Sequence, residues 1–333
     1  GKADARMMNT VCFDAFIPGN HEFDDGDATL KAFLDELAQG PCQTPTLSAN
    51  IVPAPGTPLA PAGGKPYLQP LLIKEIGGVR VGLVGITIAD KTRASSRPLA
   101  STQFLDETQS AQAAIDALTA QGVRHIVLMT HHGFDADLAM VSRLRGVDVV
   151  IGGDSHTLLG DFKAQGLASG GRYPTVIRNA DGDTVCIGQA WEYGKAFGLM
   201  NVAFDTEGRV SRCDGQAALV IGETFKRKDA AGTWQPMAPA DGEALKARLA
   251  TQPAVRVVAP DPVAAQTLAA FSSQVAAQKA RPIGTATEPL CLVRVPGEPA
   301  DPRAGAGCEA ASSLARGSDV AQVVAEAFLR GSR

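Results

Sequence analysis

No stretch of this chain approaches the ~20 consecutive apolar residues that a membrane helix needs, so no span is expected within it. It contains no CxxC pair, which argues against a thiolate zinc module. It has no basic stripe either: at a net charge of −4 and a pI near 5.8, only Lys226-Arg227-Lys228 clusters, and a solvated turn accounts for that run. A nucleic-acid polymer is therefore not an expected partner. No internal repeat or low-complexity tract stands out beyond a few Pro/Ala-rich loops. An initiator Met and a signal peptide are also missing. Residues 3–11 already read as a helix packed on Met7, Met8 and Val11, and an amphipathic pattern from about Asp319 runs almost to the end. The chain is read as an internal piece of a longer protein.

What is present is ordinary for a globular protein. The 333 residues suffice for roughly two domains. Six cysteines, Cys12, Cys42, Cys186, Cys213, Cys291 and Cys308, fall into pairs that neighbour in sequence. Local disulfides Cys12–Cys42, Cys186–Cys213 and Cys291–Cys308 are the expected connectivity, with Cys186 and Cys213 on adjacent antiparallel strands. Three such bonds imply an oxidising compartment. The alternative is six buried thiols in a cytosolic protein.

Apolar periodicity sets the organisation. Leu30, Phe33, Leu34 and Leu37 form a helical stripe that Gly40-Pro41 stops. Thr46 to Ile51 reads as a short buried strand, and residues 52–64 as a loop. Strands 73–76 and 79–88 form a hairpin turned by Gly77-Gly78. Helix 108–120, strand 125–129, helix 135–144 and strand 147–151 then alternate, which implies right-handed crossovers and a largely parallel sheet. Strands 184–191, 197–205 and 209–222 follow, joined by turns. Residues 223–260 read as polar and irregular. A connector helix spans 262–280, and a strand over 283–295 opens a second domain.

Three segments carry chemistry, each just after a strand, where an α/β fold gathers its functional groups. Gly19-Asn20-His21-Glu22-Phe23-Asp24 offers an amide oxygen from Asn20 and an imidazole from His21. Asp24 could hold that imidazole in one tautomer. The plainer reading is a turn with an Asn cap. His131 ends the strand 126–129 within Thr130-His131-His132-Gly133. By alternation His132 points to the other face, and His125, at the strand's start, is given no role. In Gly152-Gly153-Asp154-Ser155-His156-Thr157, an extended backbone would put Asp154 and His156 on one face. Asn and Asp oxygens mixed with His nitrogens suit a first-row divalent metal such as Zn²⁺, Mn²⁺ or Fe.

Taken together, GNHEFD, LMTHHG and VDVVIGGDSHTLLG, in this order and spacing, resemble the calcineurin-like metallophosphatases. More narrowly they resemble the bacterial secreted 5′-nucleotidase and NAD nucleotidase family, as do Leu47-Ser48-Ala49-Asn50-Ile51 and Gln189-Ala190-Trp191-Glu192-Tyr193-Gly194-Lys195. The resemblance covers most of residues 1–220 and the connector. It implies a layered α/β/β/α sandwich, incomplete here, over residues 1–258, a connector helix over 259–280, and the start of a nucleotide-binding α/β domain over 281–333. It implies two divalent metal ions, Zn²⁺ or Mn²⁺, that activate water and clamp a phosphate. Carried over by motif, Asn20, His131 and Asp154 share one metal, His156 serves its neighbour, and His21 with Asp24 stabilises the transition state. Asp154 stands where His is the commoner family residue, which adds a negative charge and harder character. The family's D-x-H and G-D motifs, with the remaining ligands of the second metal, are expected ahead of residue 1. Its substrate-binding aromatics and arginine are expected beyond residue 333.

The implied parent is a periplasmic or extracellular 5′-nucleotidase acting on a small-molecule nucleotide and extending to the NAD pyrophosphate. The fragment alone is expected to be inactive. A cyclic-nucleotide phosphodiesterase, a UDP-sugar hydrolase and a sulfur-ester hydrolase are alternatives on the same fold. A non-catalytic metal-binding remnant is the alternative from another class.

Overall fold

The computed structural model describes residues 1–333 except 62, 283, 284, 286, 288, 289, 294, 298–307, 332 and 333. The chain divides into two compact units, Gly1–Ala269 and Ala270–Arg333.

The first unit opens with α1 (Lys2–Val11), a 3₁₀ turn over Asn20–Phe23, and α2 (Gly26–Ala38). All four stripe residues of α2 are buried, packed with Phe23, Leu59 and Phe104. The expected strand over 46–51 is mostly absent. Thr46 and Leu47 make single bridges to Phe16 and Gln69, and only β1 (Ile51–Val52) pairs regularly, with β4 (Gln103–Phe104). Ser48 and Asn50 spend their polar groups on Thr87 and Leu105 instead of on a ladder.

A six-stranded sheet forms the frame, in the order β2-β3-β5-β6-β8-β7. Its hairpin joins β2 (Leu71–Ile76) to β3 (Val79–Thr87) through Gly77 and Gly78, with φ of 59° and 81°, a left-handed pair that glycine adopts without a Cβ clash. From β3 onward the inner strands are parallel: β5 (His125–His131), β6 (Val149–Gly152) and β8 (Thr184–Gln189). An antiparallel edge strand, β7 (Thr175–Arg178), closes the far side. Between strands run α3 (Ala89–Ser95), which periodicity did not reveal, α4 (Glu107–Ala120) and α5 (Phe134–Val141). The Asp106 carboxylate caps α4 by accepting from the Gln109 N–H at 2.8 Å, one of the donors a helix start leaves orphaned. Ile115, Leu118 and Met140 lie buried with Val84, Ile86, Ile126, Leu128 and Val150 of the sheet. Each such burial stabilises the fold by roughly 1.5–3 kcal/mol.

A second sheet has the order β13-β10-β9, built from β9 (Ala196–Phe204), β10 (Val210–Ile221) and β13 (Val255–Val257). The segment expected to be irregular is partly ordered: β11 (Lys226–Lys228) and β12 (Trp234–Pro236) form a hairpin, and α6 (Pro239–Ala250) follows. Its helix hides from a periodicity search because no residue of α6 is buried, so no apolar stripe is needed.

The helix α7 (Pro262–Lys279) carries the boundary between the units. In the second unit α8 (Ala310–Arg316) and α9 (Asp319–Gly331) accompany a small core of Cys291, Val293 and Cys308. The expected strand over 283–295 lies partly outside the described residues, and its described residues form no strand. Among the described residues, no helix is long and apolar enough to cross a membrane.

The cysteines pair as Cys12–Cys42, Cys186–Cys213 and Cys291–Cys308, with Cα atoms 5.3, 5.9 and 5.1 Å apart. One detail of the expectation changes. Cys186 on β8 and Cys213 on β10 belong to different sheets, so this bond clamps one sheet to the other instead of linking neighbouring strands. Replacing both by Ala should lower stability by about 2–4 kcal/mol in denaturant unfolding. No change in the midpoint would show that the bond constrains nothing.

Asp148, just before β6, is buried and accepts the Ile126 N–H at 2.8 Å. Burial pushes its carboxyl up to about 7. Because the folded-state value lies above the unfolded ~3.9, the protonated acid favours the fold at low pH. That contribution is lost as pH rises from about 4 through about 7. Asp148→Asn should therefore flatten the fall in melting temperature between pH 5 and pH 8. An unchanged pH slope would rule this group out as its source.

Candidate metal centre

The parallel strands deliver their exits to one sheet edge. His131 is the last residue of β5, and Asp154 follows β6 by two residues. The Asn20–Phe23 turn reaches the same edge because the Thr87 hydroxyl, at the end of β3, donates to the Pro18 carbonyl at 2.8 Å. Glu22 stiffens the turn by accepting the Gly19 N–H at 2.6 Å.

Gly19 and Gly153 explain how close the pieces can come. A Cβ on Gly19 would lie 2.7 Å from the His131 ring, and one on Gly153 would lie 3.3 Å from His131 Nδ1. Gly19 has an ordinary φ of −90°, so its role is room for the imidazole, not a special turn.

Asn20, His131 and Asp154 come together. His131 Nε2 lies 3.1 Å from Asn20 Oδ1 and 3.2 Å from Asp154 Oδ1. Burial holds the His131 imidazole below its usual pKa, against the opposing pull of Asp154. A neutral ring has one N–H at most, while the amide oxygen and the carboxylate oxygen can only accept. With its proton on Nδ1 the ring offers the Nε2 lone pair beside an amide and a carboxylate oxygen, a mixed N/O donor set that fits a divalent cation. Among the described residues no three His, Cys, Asp or Glu side chains form a metal cluster, and the set reaches three donors only through the Asn20 amide.

The remaining residues flank this triplet. His21 is mostly exposed, its Nδ1 2.7 Å from Asp24 Oδ2. The Ser96 hydroxyl donates to the other Asp24 oxygen at 2.8 Å. The His21 hydrogen bond, then that from Ser96, hold the Asp24 carboxyl below the usual carboxylate range. Asp24 is therefore ionised at neutral pH and orients the ring, leaving His21 Nε2 outward. His156 does not join the triplet. Its Nδ1 lies 3.2 Å from Glu192 Oε2 and its ring stands edge-on to Tyr193. The expectation that extended backbone aligns Asp154 with His156 does not hold: both have left-handed φ, 77° and 52°. His132 turns away from the centre to lie 3.5 Å from buried Asp137, and the His125 ring packs at a tilt against Phe204.

Sequence reasoning passed over Lys91. From α3 its ammonium pairs with Asp154 Oδ1, so the extra negative charge of an Asp in place of His has a cation beside it. A charged residue one turn past the end of β3, on the edge that also carries His131, was the available signal. The Lys195 ammonium and Glu192, 2.6 Å apart, brace the segment beside His156, with Lys195 over the Trp191 and Tyr193 rings.

An α/β sheet that presents His and Asp donors after its parallel strands, with an Asn from an adjoining turn and an oriented His–Asp pair beside them, is of metallophosphatase type. The relatives say which kind. A probable 5′-nucleotidase of Treponema pallidum is 35% identical over 290 residues, covering 86% of this chain and 47% of its own length. The solved NAD nucleotidase of Haemophilus influenzae superposes with a TM-score of 0.77 at 27% identity, over 86% of this chain and 55% of that one. A 5′-nucleotidase precursor from Thermus thermophilus gives 0.66 at 33% identity, over 89% and 49%. No family model matches the chain. This chain belongs to the 5′-nucleotidase family of metallophosphatases, and it spans about half the length of these relatives.

Because the Lys91 ammonium competes with any cation for Asp154 Oδ1, Lys91→Met should tighten Mn²⁺ binding by roughly 5–10-fold, a modest gain since Lys91 is partly exposed to screening water. Titration calorimetry of the protein with Mn²⁺ measures it. Weaker or unchanged binding would remove Lys91 from the electrostatics of the centre.

Proposed function

We propose that the chain is the metal-bearing part of a phosphoester hydrolase that releases phosphate from nucleoside 5′-monophosphates. The observation that carries this reading is the convergence of Asn20 Oδ1, His131 Nε2 and Asp154 Oδ1 beside the His21–Asp24 pair. Kinship with proteins named 5′-nucleotidase supplies the substrate class.

Asn20, His131 and Asp154 would hold one divalent ion, with His156 turned to a second. Bound there, such ions supply a nucleophile from water at neutral pH and neutralise charge on the phosphoryl group. The protein's own groups do the rest. His21, held by Asp24, presents Nε2 to a phosphoryl oxygen or to the departing 5′-oxygen, where negative charge develops as the P–O bond breaks. Ionised Asp24 stabilises the positive charge that His21 carries when it donates. Lys91, paired with Asp154, would place a positive charge beside an ion held there.

The similarity to an NAD nucleotidase supports a second substrate, the pyrophosphate of NAD, since the same groups would act on a phosphoanhydride. Residues 281–333 are proposed to begin the nucleotide-binding domain, after a metal-bearing domain over 1–258 and the connector helix. The three disulfides and the kinship with a precursor protein support a periplasmic or extracellular location.

In the full-length protein, His21→Ala should lower kcat for phosphate release from AMP by about 10²–10³-fold with bound metal unchanged, because a hydrogen-bond donor is lost but no ligand. Unchanged turnover would reject the role, and loss of metal would make His21 a ligand instead.

A further inference from the structure

The segment from Gly153 to Thr157 carries two candidate ligands in a conformation that side chains rarely adopt. Asp154 has φ of 77° and His156 of 52°. Such a backbone is unfavourable for a residue with a side chain, and it persists only where the surroundings over-determine it. Something must hold this loop.

Gln189 is placed to do it. It ends β8, opposite Gly152 in the parallel pairing of β6 with β8, and it is 2% exposed. Its amide Nε2 donates to the Gly153 carbonyl at 3.0 Å. Its Oε1 accepts from the Ser155 hydroxyl at 3.1 Å and from the Thr157 N–H. One side chain therefore grips the backbone before Asp154, the residue between the two ligands, and the backbone after His156. Further bonds brace the same points: the Gly133 N–H donates to the Gly153 carbonyl at 3.0 Å, and the Phe134 N–H to the Ser155 hydroxyl oxygen at 2.9 Å.

The chemistry of the amide matters. One end of the loop offers an acceptor and the other a donor, so the gripping group must donate on one side and accept on the other. An amide does both without charge. A carboxylate of the same shape would accept on both sides and would face the Gly153 carbonyl with no proton to share.

We propose that Gln189 is the positioning residue of the centre, holding the 153–157 loop so that Asp154 and His156 stand in ligand geometry without Gln189 itself touching metal or substrate. The proposal rests on Asp154 and His156 being ligands.

The test compares Mn²⁺ affinity by titration calorimetry in the full-length protein and in its Asp154→Ala, Gln189→Glu, Gln189→Met and Ser155→Ala forms, each with its melting temperature. Asp154→Ala should weaken binding strongly; if it does not, the ligand reading falls whatever Gln189 does. Gln189→Glu, isosteric but wrongly paired, should weaken Mn²⁺ binding by about 10–100-fold, as loss of an outer partner of a metal site does. Ser155→Ala, which removes one of the links without adding a charge, should weaken it less and keeps the proposal testable if the Gln189 variants do not fold. Combined with Asp154→Ala, Gln189→Met should add less than it costs alone, since the part of its effect that acts through Asp154 is already gone. Wild-type affinity in Gln189→Glu or in both Gln189→Met and Ser155→Ala, alongside a weakened Asp154→Ala, would overturn the proposal. So would full additivity in the double variant.

Discussion

Thr87 faces His131 across the β3–β5 pairing, and Gly152 faces Gln189 across β6–β8. The candidate centre depends on these parallel registers. They bring chain exits separated by tens of residues to one edge, where backbone groups leave the sheet and side chains can converge. Asn20 is not on a strand of this sheet. It is tied to the edge because Thr87 holds Pro18, and because Asn50 accepts the Thr87 N–H at 3.0 Å and donates to its carbonyl at 2.7 Å. A slip of one residue in β3 against β5 would reverse which side chains face each layer and detach the Asn20 turn from His131.

Electrostatics at this edge are arranged by depth. His131 is deep enough to stay neutral, whereas the exposed His21–Asp24 pair keeps its carboxylate ionised through hydrogen bonds. Asp154 lies between, its carboxylate mostly buried, and takes its positive neighbour from Lys91. A neutral nitrogen is the form in which an imidazole ligates a cation, while the Asp154 oxygen that such an ion would take is held by Lys91. Two further residues set the spacing. Gly19 leaves space for the imidazole, and Gly152 leaves space for the buried Asp137, whose carboxylate would sit 2.5 Å from a Cβ there.

Much of the frame was legible beforehand because burial imposes a period. The α2 stripe, the Gly77-Gly78 hairpin and the alternation from α4 to β6 all bury one face, and each lies close to its expected place. Elements without a buried face left no such mark. The exposed helix α6 and the β11–β12 hairpin were passed over for that reason, and α3, which buries only Ala89 and Thr92, is too short to show a period. Thr46 to Ile51 misled in the opposite way: its residues are mostly buried but their backbone groups pair one by one with Phe16, Gln69, Gly85 and Leu105 instead of along one ladder.

The sequence by itself determined which side chains could carry chemistry here, since motif spacing is a property of the chain, but for the cysteines it only favoured near neighbours among the fifteen pairings that six allow. It could not determine where those side chains point. Left-handed φ at Asp154 and His156 sends one toward His131 and Lys91 and the other toward Glu192, against the simple alternation of extended backbone. Lys91 and Gln189 join the centre only through contacts spanning 63 and roughly 35 residues of chain. Those contacts are free-energy terms of the folded state, set by the packing of sheet, loop and helix together, and no local pattern encodes them.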